Sequence, residues 1–561
     1  MRGVSRRRFL QGGIAAGAGM AMAGAVGTQA RAAAGGKLAK FLEPVPLPGR
    51  GIVIASPAGP PDHYSFTLRA ISRQLHPHLP PTPLWAYDDG SGLGGQAGLY
   101  GMAVTARSGT PLTVEYTHQL PAVYPTWLPV EQRLAPFGDH VRVLTHLHGA
   151  AVAADSDGSP SVAPDGFGPG ETQRVYYPNE TPATQLWFHD HAMGTTRLNL
   201  AAGLAAGYVV RDDFDTGEEP NPNGIPGGEY EIPMVIQDRI FNADGTIDYP
   251  TSDIPGVTWI GEYFGDVMLV NGKVWPYLRV EPRLYRLRIL NACSARILNL
   301  GLGGVPMWQI GGDGGMWDRP VPVSRLVLAP AERADVIADF RRVAGQTLVM
   351  RNGPLPRPVV SPGPPLPTVM QVRVGRSVTR PGPHAVPAHL HGRAAILPPS
   401  GATRIFTLNE VGMETAGWFL NINGLRFADE PLGDARQAGT IEDWIYVNLT
   451  GDTHPIHPHL VQHQVVGRTP FDADAYVDRY GGPDGVPGGI DPQPFATGPM
   501  EPARPQERGF KDTTKADPGY FTTIRAKFDL PAGVTGPQTY VHHCHILEHE
   551  DNEMMRAFTV G

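Results

Sequence analysis

Cysteine is nearly absent from this chain, which has two in 561 residues, Cys293 and Cys544. Small secreted proteins that depend on disulfides carry many cysteines at close spacing, so the sequence excludes that class. One Cys293–Cys544 disulfide remains possible by count alone. We expect no disulfide, with Cys293 as a buried free thiol. The histidines and the methionine that surround Cys544 in the sequence indicate that its sulfur is a metal ligand.

Charged residues are also few, at 18% of the chain, and the formal net charge is −8 at pH 7. Nucleic acids and anionic membrane surfaces attract proteins through a basic face. The acidic balance therefore argues against both as partners.

Long hydrophobic runs are missing as well, and no stretch is long and apolar enough to span a bilayer. The N-terminus carries Ser5-Arg6-Arg7-Arg8-Phe9-Leu10, a weakly hydrophobic segment over 12–27, and Ala30-Arg31-Ala32. This order is typical of a cleavable twin-arginine export signal, rather than a basic disordered tail. We predict that residues 1–32 direct export by the twin-arginine machinery to the periplasm or the cell exterior. Their removal takes away five basic residues and leaves a net charge of −13.

Amphipathic helices of normal length are scarce, whereas glycine (69) and proline (58) are abundant. Many short strands joined by turns produce this mixture. Alternation of apolar and basic residues over 285–289 and 524–528 predicts two half-buried strands. Asn271-Gly272 and Asn423-Gly424 predict hairpin turns. The predicted fold class is therefore all-β.

Turn-rich stretches at 215–228 and 380–400 divide the chain into three β-sandwich domains, a number that its length allows. We predict a signal peptide over 1–32, domain one over 33–222, domain two over 223–379, a linker over 380–400 and domain three over 401–561. A Pro-rich stretch at 354–367 is interpreted as a loop of domain two, because a predicted strand follows it at 369–374.

The most informative segment runs from His543 to Met554. Cys544, His549 and Met554 follow one another at five-residue steps, and thiolate, imidazole and thioether are the ligands of blue-copper sites. His543 and His545 flank the cysteine. Because successive side chains of a strand point to opposite faces, these two imidazoles can reach a second metal centre on the far side. The segment therefore predicts two copper sites joined through Cys544.

Three further clusters each contain a His-x-His pair. On a strand, residues i and i+2 lie on one face, so both imidazoles can converge on one metal. With the segment around Cys544, the clusters hold ten of the 20 histidines. They are His146-Leu147-His148, His189-Asp190-His191 and His454-Pro455-Ile456-His457-Pro458-His459.

These motifs resemble those of the multicopper oxidases, and more narrowly those of the bacterial spore-coat laccase and bilirubin oxidase branch. The resemblance is strongest over 145–149, 186–193 and 543–555, with a weaker match over 328–335. It implies three cupredoxin-like, Greek-key domains, with a trinuclear copper cluster between domains one and three. Domain two would hold no metal and act as a spacer.

The resemblance also implies four copper ions and a ligand set for each site. The type 1 copper would be held by His454, Cys544, His549 and an axial Met554. The type 2 copper would take His146 and His457. The two type 3 coppers would take His148, His189, His191, His459, His543 and His545.

The implied activity is that of a laccase. Such enzymes couple one-electron oxidation of small aromatic donors to four-electron reduction of O₂ to water. Glu550 and Asp157 match acidic residues that steer protons in the family, or that orient imidazoles. We expect catalysis to depend on these two residues and on Cys544, with donors meeting the edge of His549 or His454 at the surface of domain three. A monomer is expected.

Three alternatives stay open. The chain could be a bilirubin oxidase or an aminophenol oxidase of the phenoxazinone type. Cuprous-ion oxidation for copper tolerance usually accompanies a Met-rich insertion, whereas the 15 methionines here are scattered. A non-enzymatic copper-binding envelope protein could use the same scaffold, although such relatives have lost ligands.

The sequence departs from the family pattern at three places. Pro458 separates two predicted ligands, so we expect it at a strand edge or a bulge. His542 replaces a tryptophan, and the 354–367 loop replaces a lid that contains cysteine. Histidines outside the clusters are expected at the surface, including the repeat of the first motif at 389–392; they are His63, His76, His78, His118, His140, His384, His389, His391, His463 and His542.

Overall fold

The computed structural model describes residues 38–59, 62–93, 99–393, 396–413, 417–429 and 435–561. The predicted signal segment, 1–32, lies outside the described residues. Strands account for 42% and helices for 7% of the structure, so the prediction of an all-β fold is confirmed. The strands of the described residues form six sheets, and these lie in three pairs along the chain.

The first pair of sheets comes from the predicted domain one. Its strands are β1 (Leu47–Pro48), β2 (Gly51–Ile54), β3 (His63–Arg73), β4 (Thr82–Asp88), β5 (Met102–Arg107), β6 (Leu112–Gln119), β7 (Thr145–His148), β8 (Thr172–Tyr177), β9 (Thr184–Asp190) and β10 (Ala205–Arg211). One sheet has the order β1-β2-β5-β10-β9-β7 and the other β4-β3-β6-β8. Phe66 and Phe188, one from each sheet, pack in the core between them.

The second pair comes from the predicted domain two. Its strands are β11 (Glu231–Arg239), β12 (Val267–Val270), β13 (Lys273–Val274), β14 (Tyr277–Val280), β15 (Leu284–Asn291), β16 (Leu298–Gly301), β17 (Met307–Gly312), β18 (Gly315–Val323), β19 (Leu326–Leu328), β20 (Arg333–Asp339), β21 (Thr347–Asn352) and β22 (Thr368–Val374). The sheets have the orders β13-β12-β11-β15-β20-β17-β18 and β14-β22-β21-β16-β19. The predicted strand at 369–374 is therefore confirmed.

The third pair comes from the predicted domain three. Its strands are β23 (Ala402–Met413), β24 (Gly417–Ile422), β25 (Ile441–Asn448), β26 (His454–Pro458), β27 (His463–Pro470), β28 (Glu501–Pro502), β29 (Thr514–Ala516), β30 (Tyr520–Lys527), β31 (Gln538–Cys544) and β32 (Met555–Val560). The sheets have the orders β24-β23-β25-β30-β27-β28 and β29-β26-β31-β32. Neighbours that are distant in sequence, such as β26 and β31, show the crossover connections of a Greek-key fold. The domain boundaries themselves stay predictions.

Helices are short and lie between strands. The α-helices are α1 (Thr196–Ala202), α2 (Ala473–Tyr480) and α3 (Leu547–Asp551), and the 3₁₀ turns are Ala154–Ser156, Gly228–Tyr230, Arg341–Val343, Phe427–Asp429, Gln493–Phe495 and Pro505–Glu507. Within the described residues, none of the helices has the length and apolarity needed to cross a membrane.

Local predictions had mixed outcomes. The turn at Asn271-Gly272 joins β12 to β13, with both residues at positive φ, as predicted. Asn423 and Gly424 also have positive φ, but this turn is closed only by an isolated bridge between Ile422 and Leu425 and joins no two described strands. The strand β30 is half-buried as predicted.

The prediction of a half-buried β15 is wrong, because all eight of its residues are buried. Arg286 and Arg288 face a buried set of carboxylates instead of solvent. Asp215 accepts hydrogen bonds from both guanidinium groups, at 2.7 and 2.6 Å. Period-two alternation shows only which residues share a face, and here an ion-pair network covers the polar face.

Both cysteines are free and buried, as expected. Pro458 is the last residue of β26, beyond the three residues that pair with β29. On its other side Pro458 pairs with His542 of β31, and β26 lies between β29 and β31 in the sheet. The strand is therefore not an edge strand, and among the described residues the expected edge position holds only on the β29 side.

Candidate metal centre

The first group of candidate ligands, which we call the sulfur cluster, consists of His454, Cys544 and His549. Cys544 ends β31, and its Sγ lies 3.4 Å from Nδ1 of His454 and 3.8 Å from Nδ1 of His549. The two imidazole nitrogens are 3.3 Å apart. Met554 is buried and its carbonyl oxygen accepts a hydrogen bond from the Cys544 N–H, at 3.0 Å. The short helix α3 follows Cys544 and turns the chain back, so that His549 lies beside the cysteine at which β31 ends.

The second group, which we call the histidine cluster, contains eight histidines from domains one and three. Their ring nitrogens fall into three groups, two of which share His148, and the atoms of each group lie within 4.8 Å of one another. The rings of His148 and His457 stack with centroids 3.7 Å apart, and those of His146 and His459 at 3.9 Å. The three groups are His146/His148/His457, His148/His189/His545 and His191/His459/His543.

Strand register places these histidines. In domain one, β7 pairs with β9 so that His146 lies opposite His189. In domain three, β26 pairs with β31 so that His457 lies opposite His543. Directly opposed residues of antiparallel strands have neighbouring side chains. Each domain thus supplies half of the cluster as a preformed pair of strands.

The donor atoms fit metal ions. His146 Nε2, His148 Nδ1, His189 Nε2 and His457 Nε2 are buried without a hydrogen-bond partner, an arrangement that is rare and unfavourable unless another ligand satisfies the lone pair. Burial, reinforced by neighbouring imidazoles, holds the pKa of His146 far below its ordinary value. The ring is therefore in the neutral form that binds metals. One thiolate with two imidazoles suits copper in particular.

Comparisons with known proteins agree with this donor set. Two family profiles, both described as multicopper oxidase, match residues 140–214 and 397–561. Laccases of Bacillus stratosphericus and Bacillus subtilis (strain 168) are 37% and 34% identical to the chain, over 93% of it and 99% of each of those proteins. The chain belongs to the multicopper oxidase family. The crystal structure of McoA from Aquifex aeolicus, 24% identical, covers 93% of this chain and 100% of its own with a TM-score of 0.73, which supports the cupredoxin-like fold.

Hydrogen bonds orient the imidazoles of this multicopper oxidase. Nδ1 of His457 donates to the carbonyl oxygen of Asp512 at 2.7 Å, and Nδ1 of His189 to that of Asp190 at 2.9 Å. Nδ1 of His146 likewise donates to the carbonyl of Asp157, at 2.5 Å. Such partners fix the tautomer and leave Nε2 free for a metal.

The two predicted acidic residues both lie against the histidine cluster. Glu550 places its oxygens 3.1 Å from Nδ1 of His543 and 3.4 Å from Nδ1 of His191. Asp157 accepts a hydrogen bond from Nδ1 of His459 at 2.7 Å. Burial raises the pKa of Asp157 well above its ordinary value. Burial also opposes ionisation of Glu550, but His191 and His543 outweigh it and hold its pKa well below the ordinary value.

The expectation that His454 and His549 present an edge to solvent is wrong, because both residues are fully buried. Nε2 of His454 lies 2.7 Å from the Thr450 hydroxyl. The 354–367 loop reaches this region as well, since Val360 and Thr453 exchange two hydrogen bonds, at 2.9 and 3.0 Å. Segments from domains two and three therefore cover the sulfur cluster.

Three carboxyl groups that interact with one another were not predicted, and one of them, Glu410, lies beside His454. We call Glu262, Glu410 and Asp452 the acidic trio. Glu410 Oε1 is 3.7 Å from His454 Nε2, and neither this atom nor either side-chain oxygen of Glu262 has a hydrogen-bond partner. Burial and then the neighbouring Asp452 raise the pKa of both glutamates, and burial raises that of Asp452 to about 6. The three residues come from separate segments, so no sequence motif could reveal them.

Histidines outside the clusters were expected at the surface. His78, His140, His384, His389 and His391 are exposed, and His63 is half-buried. The expectation is wrong for His76, His118, His463 and His542, which are buried. His542 packs against the ring of Phe406, with centroids 4.5 Å apart, and its Nδ1 lies 3.2 Å from the Tyr446 hydroxyl. It fills an aromatic core that a tryptophan could also fill.

Proposed function

We propose that this protein is a laccase-like oxidase that couples one-electron oxidation of small aromatic donors to four-electron reduction of O₂ to water. The observation that carries the proposal is the link between the clusters. Cys544 belongs to the sulfur cluster, while its neighbours His543 and His545 belong to the histidine cluster. Kinship with two Bacillus laccases supports the choice of donor.

The proposed ligand sets follow the two clusters. Four coppers bound there would supply one-electron acceptance at one site and multi-electron reduction of O₂ at the other. The type 1 set is His454, Cys544, His549 and Met554, and the type 2 set is His146 and His457. The type 3 sets are His148, His189 and His545 for one ion, and His191, His459 and His543 for the other.

The chain itself contributes orientation, exclusion of water and protons. All ten histidines and Cys544 are buried, so bulk water does not compete for their lone pairs. Asp157 and Glu550 hold the imidazoles of His459 and His543 and offer carboxyl oxygens beside the cluster. We assign proton transfer for O₂ reduction to these two groups.

Export by the twin-arginine route to the periplasm or cell exterior belongs to the same proposal, as does a monomeric state. The route carries folded cargo, which suits a chain that must fold around metals. The motif at 5–10 supports the export part.

Copper loading and O₂ uptake test the proposal. The replete protein should bind four coppers, show an intense visible thiolate–copper band and consume O₂ with a panel of bilirubin, 2-aminophenol and a methoxyphenol. Cys544→Ser should lose the band and the uptake, whereas Cys293→Ala, which changes the other buried thiol, should keep both. Uptake retained by Cys544→Ser would contradict the proposed electron path, and colour without uptake would favour a binding protein.

A second candidate is oxidation of a metal ion, and the acidic trio favours it. The partnerless oxygens of Glu262 and Glu410 lie buried next to a type 1 ligand set, where a cation would satisfy them. Carboxylates prefer harder cations, so Fe(II) or Mn(II) fits this position better than the Cu(I) of the cuprous alternative. An ion bound there would lie next to His454, so its electron would enter the type 1 site through that imidazole.

Steady-state kinetics with two donors separate the candidates. Under the second candidate, Glu262→Gln should raise KM for Fe(II) about 10-fold or more, a loss of at least about 1.4 kcal/mol, and leave KM for a methoxyphenol unchanged. Glu229→Gln, an exposed carboxyl variant of domain two, is the control. Equal effects of Glu262→Gln on both donors, or none on Fe(II), would exclude a cation site at the trio.

A further inference from the structure

His148 is turned the opposite way from three other histidines of the cluster. His146, His189 and His457 direct Nδ1 at backbone carbonyls and leave Nε2 for a metal. In His148 it is Nε2 that meets partners outside the cluster, Asp512 Oδ1 and Thr513 Oγ1, both at 3.1 Å. Its Nδ1 is left without a partner and faces the other ligands. Side chains, rather than a backbone carbonyl, hold this orientation.

The Asp512 carboxylate is fixed in turn by domain two. Arg333 Nη1 donates to Asp512 Oδ1 at 2.6 Å and Nη2 to Oδ2 at 2.5 Å, with both residues buried. A carboxylate that accepts two guanidinium hydrogen bonds remains an acceptor. It therefore selects the His148 tautomer that carries the proton on Nε2 and the lone pair on Nδ1.

Arg333 also connects the three domains at this point. Its Nε donates to the carbonyl of Gln185 in β9, at 3.0 Å, and its own backbone N–H donates to Asp313 at 2.7 Å. A Cβ on Gly149, the residue after His148, would lie 2.3 Å from Asp512 Oδ2. The bare glycine backbone leaves room for the ion pair to approach His148.

We propose that Arg333, acting through Asp512, is a positioning residue that presents Nδ1 of His148 to the trinuclear copper cluster. Domain two then takes part in building the cluster, rather than serving only as a spacer. This inference rests on the proposed copper assignment.

The test measures copper retention by the holoprotein against a competing chelator. Arg333→Met should weaken retention at the histidine cluster about 10- to 100-fold, the usual effect of removing an outer partner of a metal ligand. The thiolate–copper band should remain at full intensity, while the spectroscopic signal of the type 2 copper changes. Arg333→Lys keeps the charge but lacks the bidentate fork, so it should restore retention in part.

Arg286→Met is the matched control, because Arg286 is an equally buried arginine that grips Asp215 with two hydrogen bonds and touches no predicted ligand. Asp512→Asn serves as a second variant should Arg333→Met lose the thiolate–copper band through misfolding. Cluster retention that is the same in Arg333→Met and Arg286→Met, or wild-type in Asp512→Asn, would overturn the inference. A wild-type protein that binds no copper at the histidines would instead refute the proposed function.

Discussion

Asp157 and His459 lie 302 positions apart in the chain, and the carboxylate of the first accepts a hydrogen bond from Nδ1 of the second at 2.7 Å. The backbone carbonyl of the same aspartate accepts from His146. One residue of domain one thus holds an imidazole from each of the two domains that form the histidine cluster. The contact is both an interdomain bond and part of the proposed O₂ site.

Asp157→Asn should therefore slow O₂ reduction without disturbing the sulfur cluster. The amide retains the volume and an oxygen that accepts from His459, but it cannot take up or release a proton. We expect O₂ uptake with a methoxyphenol to fall about 10- to 100-fold, while the donor still bleaches the thiolate–copper band under nitrogen at the wild-type rate. Asp155→Asn, at an exposed position two residues away, should change neither. Slower bleaching in Asp157→Asn would mean that the residue acts on the donor side.

The ligand clusters were predictable because their geometry is local. A His-x-His pair and the residues around Cys544 need only the two-residue repeat of a strand to point toward defined centres. Asp157 and Glu550 were predictable by resemblance, and both meet imidazoles. The packing of domain one against domain three, which brings 146–191 next to 454–549, was implied by the family resemblance. No pattern within either segment predicted it.

Features that depend on several segments were not predictable. The acidic trio draws Glu262, Glu410 and Asp452 from three distant places with no shared spacing. His454 is buried because loops from other parts of the chain cover it. The polar face of β15 is likewise buried by carboxylates from other segments. Arg333 lay inside a segment that resembled the family, yet nothing in its neighbours indicated that it grips a carboxylate of domain three.

Asp215→Asn should destabilise the protein without changing its copper sites. The carboxylate pairs with Arg286 and Arg288 in a buried network between the first two sheet pairs. Its loss leaves two buried guanidinium groups short of counter-charge, a change that costs about 3–5 kcal/mol. We expect a lower thermal midpoint with four coppers still bound. Asp213→Asn, whose partner Arg107 is exposed, is the control and should leave the midpoint within experimental error.

Glu131 should confer stability that is lost in acid. Burial opposes its ionisation, but Arg133 and the backbone N–H groups of Trp259 and Thr258 outweigh burial and lower its pKa to about 2 from 4.5. Its contribution is therefore complete above pH 4.5 and disappears as the pH falls through about 2. A shift of this size corresponds to at most about 3 kcal/mol.

Thermal unfolding of copper-free protein at pH 6 and pH 3 tests this contribution. Glu131→Gln should lower the midpoint at pH 6 and show a smaller further loss at pH 3 than wild type does. Glu171→Gln, at an exposed carboxyl whose pairing with Arg142 is longer, at 3.6 Å, is the control. An identical loss between the two pH values in wild type and Glu131→Gln would show that this carboxyl does not titrate in the predicted range.

Trp259 should limit the size of the donor that reaches the sulfur cluster. It is buried beside α3, where its Nε1–H donates to the Glu548 carbonyl at 2.9 Å, one residue before His549. Trp259→Ala removes a large side chain from this cover, whereas Trp259→Phe keeps most of the volume and loses the hydrogen bond. We expect kcat/KM for bulky phenols to rise in Trp259→Ala relative to that for small phenols, and to stay near wild type in Trp259→Phe. The alanine variant should also unfold at a lower temperature, because truncating a buried tryptophan costs about 3–5 kcal/mol. If the ratio of bulky to small donors is unchanged in Trp259→Ala, donors approach from another direction, and the side covered by Glu410 and Thr450 becomes the place to look for them.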